Sequence, residues 1–125
     1  MKRKILAIAL AGLWVVLSEF IRNELLLKSI WVEHFSGLGL KFQTTPLNGF
    51  IWFVWSLVLA YVIFKLLEKF SFRETLLLGW LATFVMMWLA AYNLQVFALE
   101  LLWLDLPLSL LEIVVAEMII IKLRK

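Results

Sequence analysis

The chain has no cysteine and a single histidine among its 125 residues. The first absence excludes disulfides, thiolate metal sites, Cys-x-x-Cys redox chemistry and a cysteine nucleophile, and leaves the redox compartment open. The second leaves His34 without the three or four ligands that a metal site needs. Charge is scarce as well: Asp, Glu, Lys and Arg make up 17% of the residues, against about 25% in ordinary soluble domains. There is no His-Glu-x-x-His, Gly-x-Ser-x-Gly, phosphate-binding loop or dinucleotide-binding fingerprint. Ser18, Ser36 and Ser109 stand in no motif that would make a nucleophile. These absences predict no catalytic residue, no metal and no cofactor. They leave a membrane enzyme, with His34 or Glu112 as base, as the least supported functional class.

What the chain has is apolar sequence in long blocks. Hydrophobic residues make up 65% of it, and the mean hydropathy is +1.01. A small soluble domain still exposes much of its surface to water, so this excess belongs in a bilayer, where one helical crossing takes about 20 residues. Four stretches suffice: 5–23, 48–67, 75–95 and 104–121. The expected fold is all-α, an integral membrane four-helix transmembrane bundle forming one unit over 1–125. Ser18-Glu19-Phe20 follows the first apolar core where a cleavage site would need small residues, so an uncleaved span is expected there. The outer loop 24–47 is the longest piece between spans. Its part 25–35 is amphipathic enough for an interfacial helix, which Gly37 and Gly39 would break, and Pro46 suits the first turn of the next span. The 96–106 connection reads either as an extension of the third helix or as a segment lying flat on the outer face.

A net charge of +3 and a pI near 9.4 would be compatible with nucleic-acid binding. The distribution of charge speaks for topology instead. Lys2, Arg3, Lys4, Lys65, Lys69, Arg73, Lys122, Arg124 and Lys125 fall on one side of the four spans; Arg22, Lys28 and Lys41 fall on the other. An excess of Lys and Arg marks the cytoplasmic side. The sequence therefore predicts a multi-pass protein of a bacterial plasma (inner) membrane with both termini cytoplasmic. Its expected partners are the lipid bilayer and a homo-oligomer or larger membrane complex, with no nucleic acid.

Helical periodicity suggests which faces turn inward. In the first span, Ala7, Ala11, Gly12, Ser18, Glu19, Arg22 and Asn23 share one side, opposite Leu6, Leu10, Leu13, Leu17 and Phe20. Small residues permit close helix approach, and large apolar ones suit lipid. Glu24 falls on the leucine side. In the third span Thr75, Gly79, Ala82, Thr83, Met86, Ala90 and Asn93 share a face, opposite Leu77, Leu81, Phe84, Trp88 and Tyr92. In the fourth, Asp105, Ser109, Glu112 and Ala116 form a stripe. The second span is weakest, with Asn48, Trp52, Ser56 and Ala60 drifting around one side.

Most of these polar residues lie in the outer half, so face and depth together predict a polar pocket open to the outside. The candidate ligand- or proton-binding residues are Glu19, Arg22, Asn23, Asn48, Asn93, Ser109 and Glu112. A charged carboxylate at mid-membrane costs roughly 2.5–3.5 kcal/mol on insertion scales. Glu112 therefore reads either as a proton- or cation-binding group or as a neutral acid bonded to Ser109, Asn93 or a neighbouring helix. Glu19 and Arg22, three residues apart, can pair with each other, or Arg22 can face an anionic ligand or bridge Glu19 to Glu112. Glu117 reads as snorkelling towards, or pairing with, the basic C-terminal end. The functional classes that remain are a small carrier or binding protein and an accessory subunit of a larger membrane complex.

Overall fold

In a bilayer a helix is favoured because it satisfies its own backbone N–H and C=O groups where no water can. The computed structural model, which describes residues 1–125, is helical throughout and has no strand. Helix α1 (Lys2–Phe20) continues into a π-helical segment (Ile21–Leu26), and α2 (Lys28–Gly37) follows. Next come α3 (Pro46–Leu67) and α4 (Phe72–Trp80), which runs through a second π-helical segment (Leu81–Val85) into α5 (Met86–Asn93). A 3-10 turn (Leu99–Leu101) leads into α6 (Leu102–Leu123).

Three continuous helices are long and apolar enough to cross a membrane: Lys2–Leu26, Pro46–Leu67 and Phe72–Asn93. Helix α6 has the same 22 residues as α3 but carries Asp105, Glu112, Glu117 and Lys122. It packs against α1, α3 and α4, and α1 packs in turn along α3. The guanidinium of Arg3 donates to the carbonyl of Lys125, and that of Arg124 to the carbonyl of Leu67 at 3.1 Å. The start of α1 and the ends of α3 and α6 therefore share one end of the bundle, where the basic residues of both termini and of the α3–α4 turn gather.

The helix ends follow local rules. Thr45 caps α3 in a reciprocal box with Asn48, and Pro46 takes the first helical position, where its missing N–H costs nothing. Ser71 and Glu74 form the same box at α4. Helix α2 ends on Gly39 at φ 74°, with Gly39 N–H donating to Ser36 and Leu40 N–H to Phe35. Helix α5 ends in the same hydrogen-bond pattern on Gln95 at φ 61°, with Gln95 N–H donating to Tyr92 and Val96 N–H to Ala91. The connection to α6 is thus not a continuation of the third helix: the chain turns at Gln95 and passes through the 3-10 turn into α6.

The core is a buried cluster that includes Ala11, Val15, Ala60, Ile63, Ile113 and Ala116. Gly12 sets the spacing of α1 on α3: a Cβ there would stand 2.7 Å from Leu57 Cδ2. The small-residue face of α1 points inward as periodicity predicts, with Ala7, Ala11, Gly12 and Glu19 buried.

In the third helix the face changes part-way. Thr75 and Gly79 are buried in α4, but beyond the π-helical segment Phe84 and Trp88 are buried while Met86, Ala90 and Asn93 are exposed. A π-helical turn takes in one extra residue, which swings the residues after it by about 100°. The segment after Phe20 acts alike on Glu24, which is half-buried instead of lipid-facing.

Candidate functional site

Arg22 stands on the first π-helical segment and is 4% exposed. Its Nη2 lies 2.6 Å from Glu19 Oε1, one turn earlier, and its Nε lies 3.3 Å from Asp105 Oδ1, at the start of α6. The guanidinium carbon is 5.3 Å from the centroid of the Phe84 ring on the second π-helical segment. Both carboxylates are ion-paired by distance. Neither is aligned as a hydrogen bond, so Arg22 Nε and Nη1, Glu19 Oε1 and Asp105 Oδ1 have no hydrogen-bond partner. Arginine suits this position because its planar charge can face two carboxylates and an aromatic ring at once.

A second layer orients the pair. Asn23 Nδ2 donates to Glu19 Oε2 at 3.0 Å, and Trp31 Nε1 donates to Asn23 Oδ1 at 3.0 Å. The anchor is therefore continuous from α2 through Asn23 to the ion pair. Behind it, Glu112 is wholly buried against Glu19, Arg22 and Ser18. Its backbone carbonyl accepts from Trp14 Nε1 at 2.9 Å, which fixes α6 on α1. Ser109 is held structurally: it accepts from Trp80 Nε1 at 2.9 Å and donates to the Leu106 carbonyl at 3.0 Å.

Above this cluster opens a chamber of about 560 Å³, within the range of small-molecule sites. Glu19, Arg22 and Asp105 belong to its wall, and Glu24 and Asn23 also line it. Seven of the 22 lining residues are aromatic, Phe20, Trp31, Phe35, Phe42, Trp52, Trp88 and Phe97, and Gln43, Thr44, Thr45 and Asn48 add polar groups. Trp31, Phe35 and Phe42 stack with centroids 5.6–6.1 Å apart, joining α2 to the irregular segment on its C-terminal side. His34 Nε2 lies 2.8 Å from the Val96 carbonyl, tying α2 to the α5–α6 connection.

Of the residues picked from the sequence, Glu19, Arg22, Asn23 and Asn48 line the chamber. Asn48 gets there as the α3 cap, its Oδ1 accepting from the Thr45 N–H at 3.2 Å. Glu112 and Ser109 lie outside its lining. Asn93 is exposed and borders a separate shallow pocket with Tyr92 and Gln95. Sequence reasoning missed Asp105 as the second partner of Arg22, although it begins the Ser109–Glu112 stripe. It also missed the aromatic wall, because residues from four helices and two connections carry no common spacing. Glu117 does not reach the basic end: it is fully buried, with both oxygens unpartnered.

No protein-family model, curated protein or solved structure matches the chain.

Proposed function

We propose that this chain is a four-span membrane protein that binds a small molecule in its chamber, as a binding protein or carrier. The observation that carries this reading is the chamber itself, about 560 Å³ in volume and walled by aromatic rings and an ion cluster. A purely structural cluster would have no need of the open space above it.

Treating α6 as the fourth span rests on where its charges point. Asp105, Glu112 and Glu117 are buried, while Leu106, Leu111 and Met118 are exposed, so the outer face of the helix is apolar. The basic end then belongs in the cytoplasm and the chamber outside.

The absence of cysteine makes orientation simple to test with single-cysteine variants and a membrane-impermeant maleimide. Ser36→Cys in α2 should label in intact cells, and Lys69→Cys in the α3–α4 turn should label only after permeabilisation. The reverse pattern would overturn the orientation. Binding can be followed by the fluorescence of Trp31, Trp52 and Trp88 in protein held in lipid nanodiscs. Saturable quenching by a small solute, absent from empty nanodiscs, supports the reading.

A further inference from the structure

We infer that the chamber selects an organic cation, an amine or quaternary ammonium with a compact apolar body. The inference rests on the chamber being a binding site and names the charge of its occupant.

The first argument is charge. Glu19, Glu24 and Asp105 line the chamber against the single charge of Arg22, and Glu112 stands directly behind. Lys28 lies 3.8 Å from Glu24 Oε2, yet its side chain is half-exposed and screened by solvent. The arrangement thus holds more carboxylates than cations, in a place where unpaired charge is costly. Asp105 makes this specific. Its side chain belongs to the wall, is 8% exposed, and reaches Arg22 through Oδ1 alone, at 3.3 Å from Nε.

The second argument is the aromatic wall. Ring faces attract a cation within about 6 Å of their centroids, most strongly for tryptophan and where water is excluded. Trp31, Trp52 and Trp88 stand in this wall with Phe35, Phe42 and Phe97. Arg22 and Phe84 already show the same attraction inside the protein.

An anion would meet the opposite conditions. The unpartnered Nε and Nη1 of Arg22 are fully enclosed, with Phe84, Glu19 and Asp105 around the guanidinium. An incoming anion would not reach those N–H groups and would be repelled by the carboxylates of Glu19, Glu24 and Asp105 in the wall.

The test uses three probes of similar size on the full chain in phosphatidylglycerol nanodiscs: benzyltrimethylammonium, its uncharged isostere neopentylbenzene, and benzenesulfonate. Calorimetry and tryptophan fluorescence should show saturable binding of the cation, about tenfold tighter than the isostere, with the anion weakest. Asp105→Asn should weaken the cation about tenfold and leave the isostere unchanged. If that variant does not fold, Glu24→Gln, outside the buried ion pair, decides: it should weaken only the cation. Preference for the isostere or the anion overturns the inference and leaves the chamber as a binding site. Equal cation affinity in wild type and in the folded charge variant also overturns it. Failure of all three probes to bind removes both the inference and the function it rests on. Repeating the titration with phosphatidylcholine nanodiscs separates two sources of the same chemistry: competition assigns a lipid choline headgroup, and its absence a soluble cation.

Discussion

The guanidinium carbon of Arg22 and the ring centroid of Phe84 are 5.3 Å apart, and each residue sits on its own π-helical segment. These are the two π-helical segments of the chain, and they meet through this contact beside the chamber. In each, the extra residue rotates the helix beyond it. It brings Phe84 and Trp88 inward on one helix and turns Glu24 to the chamber on the other. Single-turn π segments recur at functional sites for this reason.

Arg22→Met should be strongly destabilising. It leaves Glu19 and Asp105 enclosed without their counter-charge, a loss of about 3–5 kcal/mol for a buried pair. Arg22→Lys should recover only part of this, because one ammonium lacks the planar spread that meets both carboxylates and the ring. Unfolding by heat or SDS, followed by circular dichroism, measures both; wild-type stability in Arg22→Met would dismiss the cluster as a structural element.

At the contact of α1 with α3, Gly12→Val should destabilise by about 1–3 kcal/mol through overpacking. The opposing atom is the end of Leu57, so Leu57→Ala should relieve much of the clash. A double-mutant cycle reads the coupling directly, and additive effects would contradict the packing described.

Gln95 adopts a left-handed conformation that costs an L-residue with a side chain about 1 kcal/mol or more. Gln95→Gly should therefore stabilise by about 0.5–1 kcal/mol, seen as a higher unfolding midpoint. A lower midpoint would show that the Gln95 side chain contributes more than its backbone costs.

Glu117→Met replaces a fully buried, unpartnered carboxyl by an apolar side chain of similar length. Thr75 Oγ1 is also buried and unpartnered. It lies one turn from Gly79 on α4 as Glu117 lies one turn from Ile113 on antiparallel α6, and Ile113 Cγ2 is the atom a Cβ at Gly79 would meet, at 4.0 Å. This level of the bundle is therefore poorly satisfied. An unmet buried polar group costs about 1–3 kcal/mol, so the variant should be more stable by about that amount in the same unfolding assay. Loss of stability would mean that the acid has a partner.

How far the sequence can be read depends on the regularity of the backbone. From Ala7 to Glu19 the chain is regular helix, and the wheel correctly turns Ala7, Ala11, Gly12 and Glu19 inward. The place of Pro46 in the first turn of α3 is also legible, and the short helix expected over 25–35 overlaps α2, which runs from Lys28 through Gly37. Past Trp80 the wheel fails for most residues: Phe84 and Trp88 turn inward and Ala82, Met86, Ala90 and Asn93 outward, while Leu81 and Tyr92 stay exposed as expected; no residue pattern announces the π-helical turn. The second partner of Arg22 is set by helix register: Asp105, not Glu112, comes level with the guanidinium once α6 is docked through Trp14 and Trp80.

Beneath the Arg22 cluster the bundle is closed by a mainly apolar core, with Ala11, Val15, Ile63 and Ile113 fully buried beside the enclosed Thr75 and Glu117. This conformation is accordingly a cup and not a conduit. Whatever enters the chamber leaves by the same mouth while that plug holds. The Trp14 indole, bonded to the Glu112 carbonyl at this layer, pins α6 to α1 and so holds the plug in place.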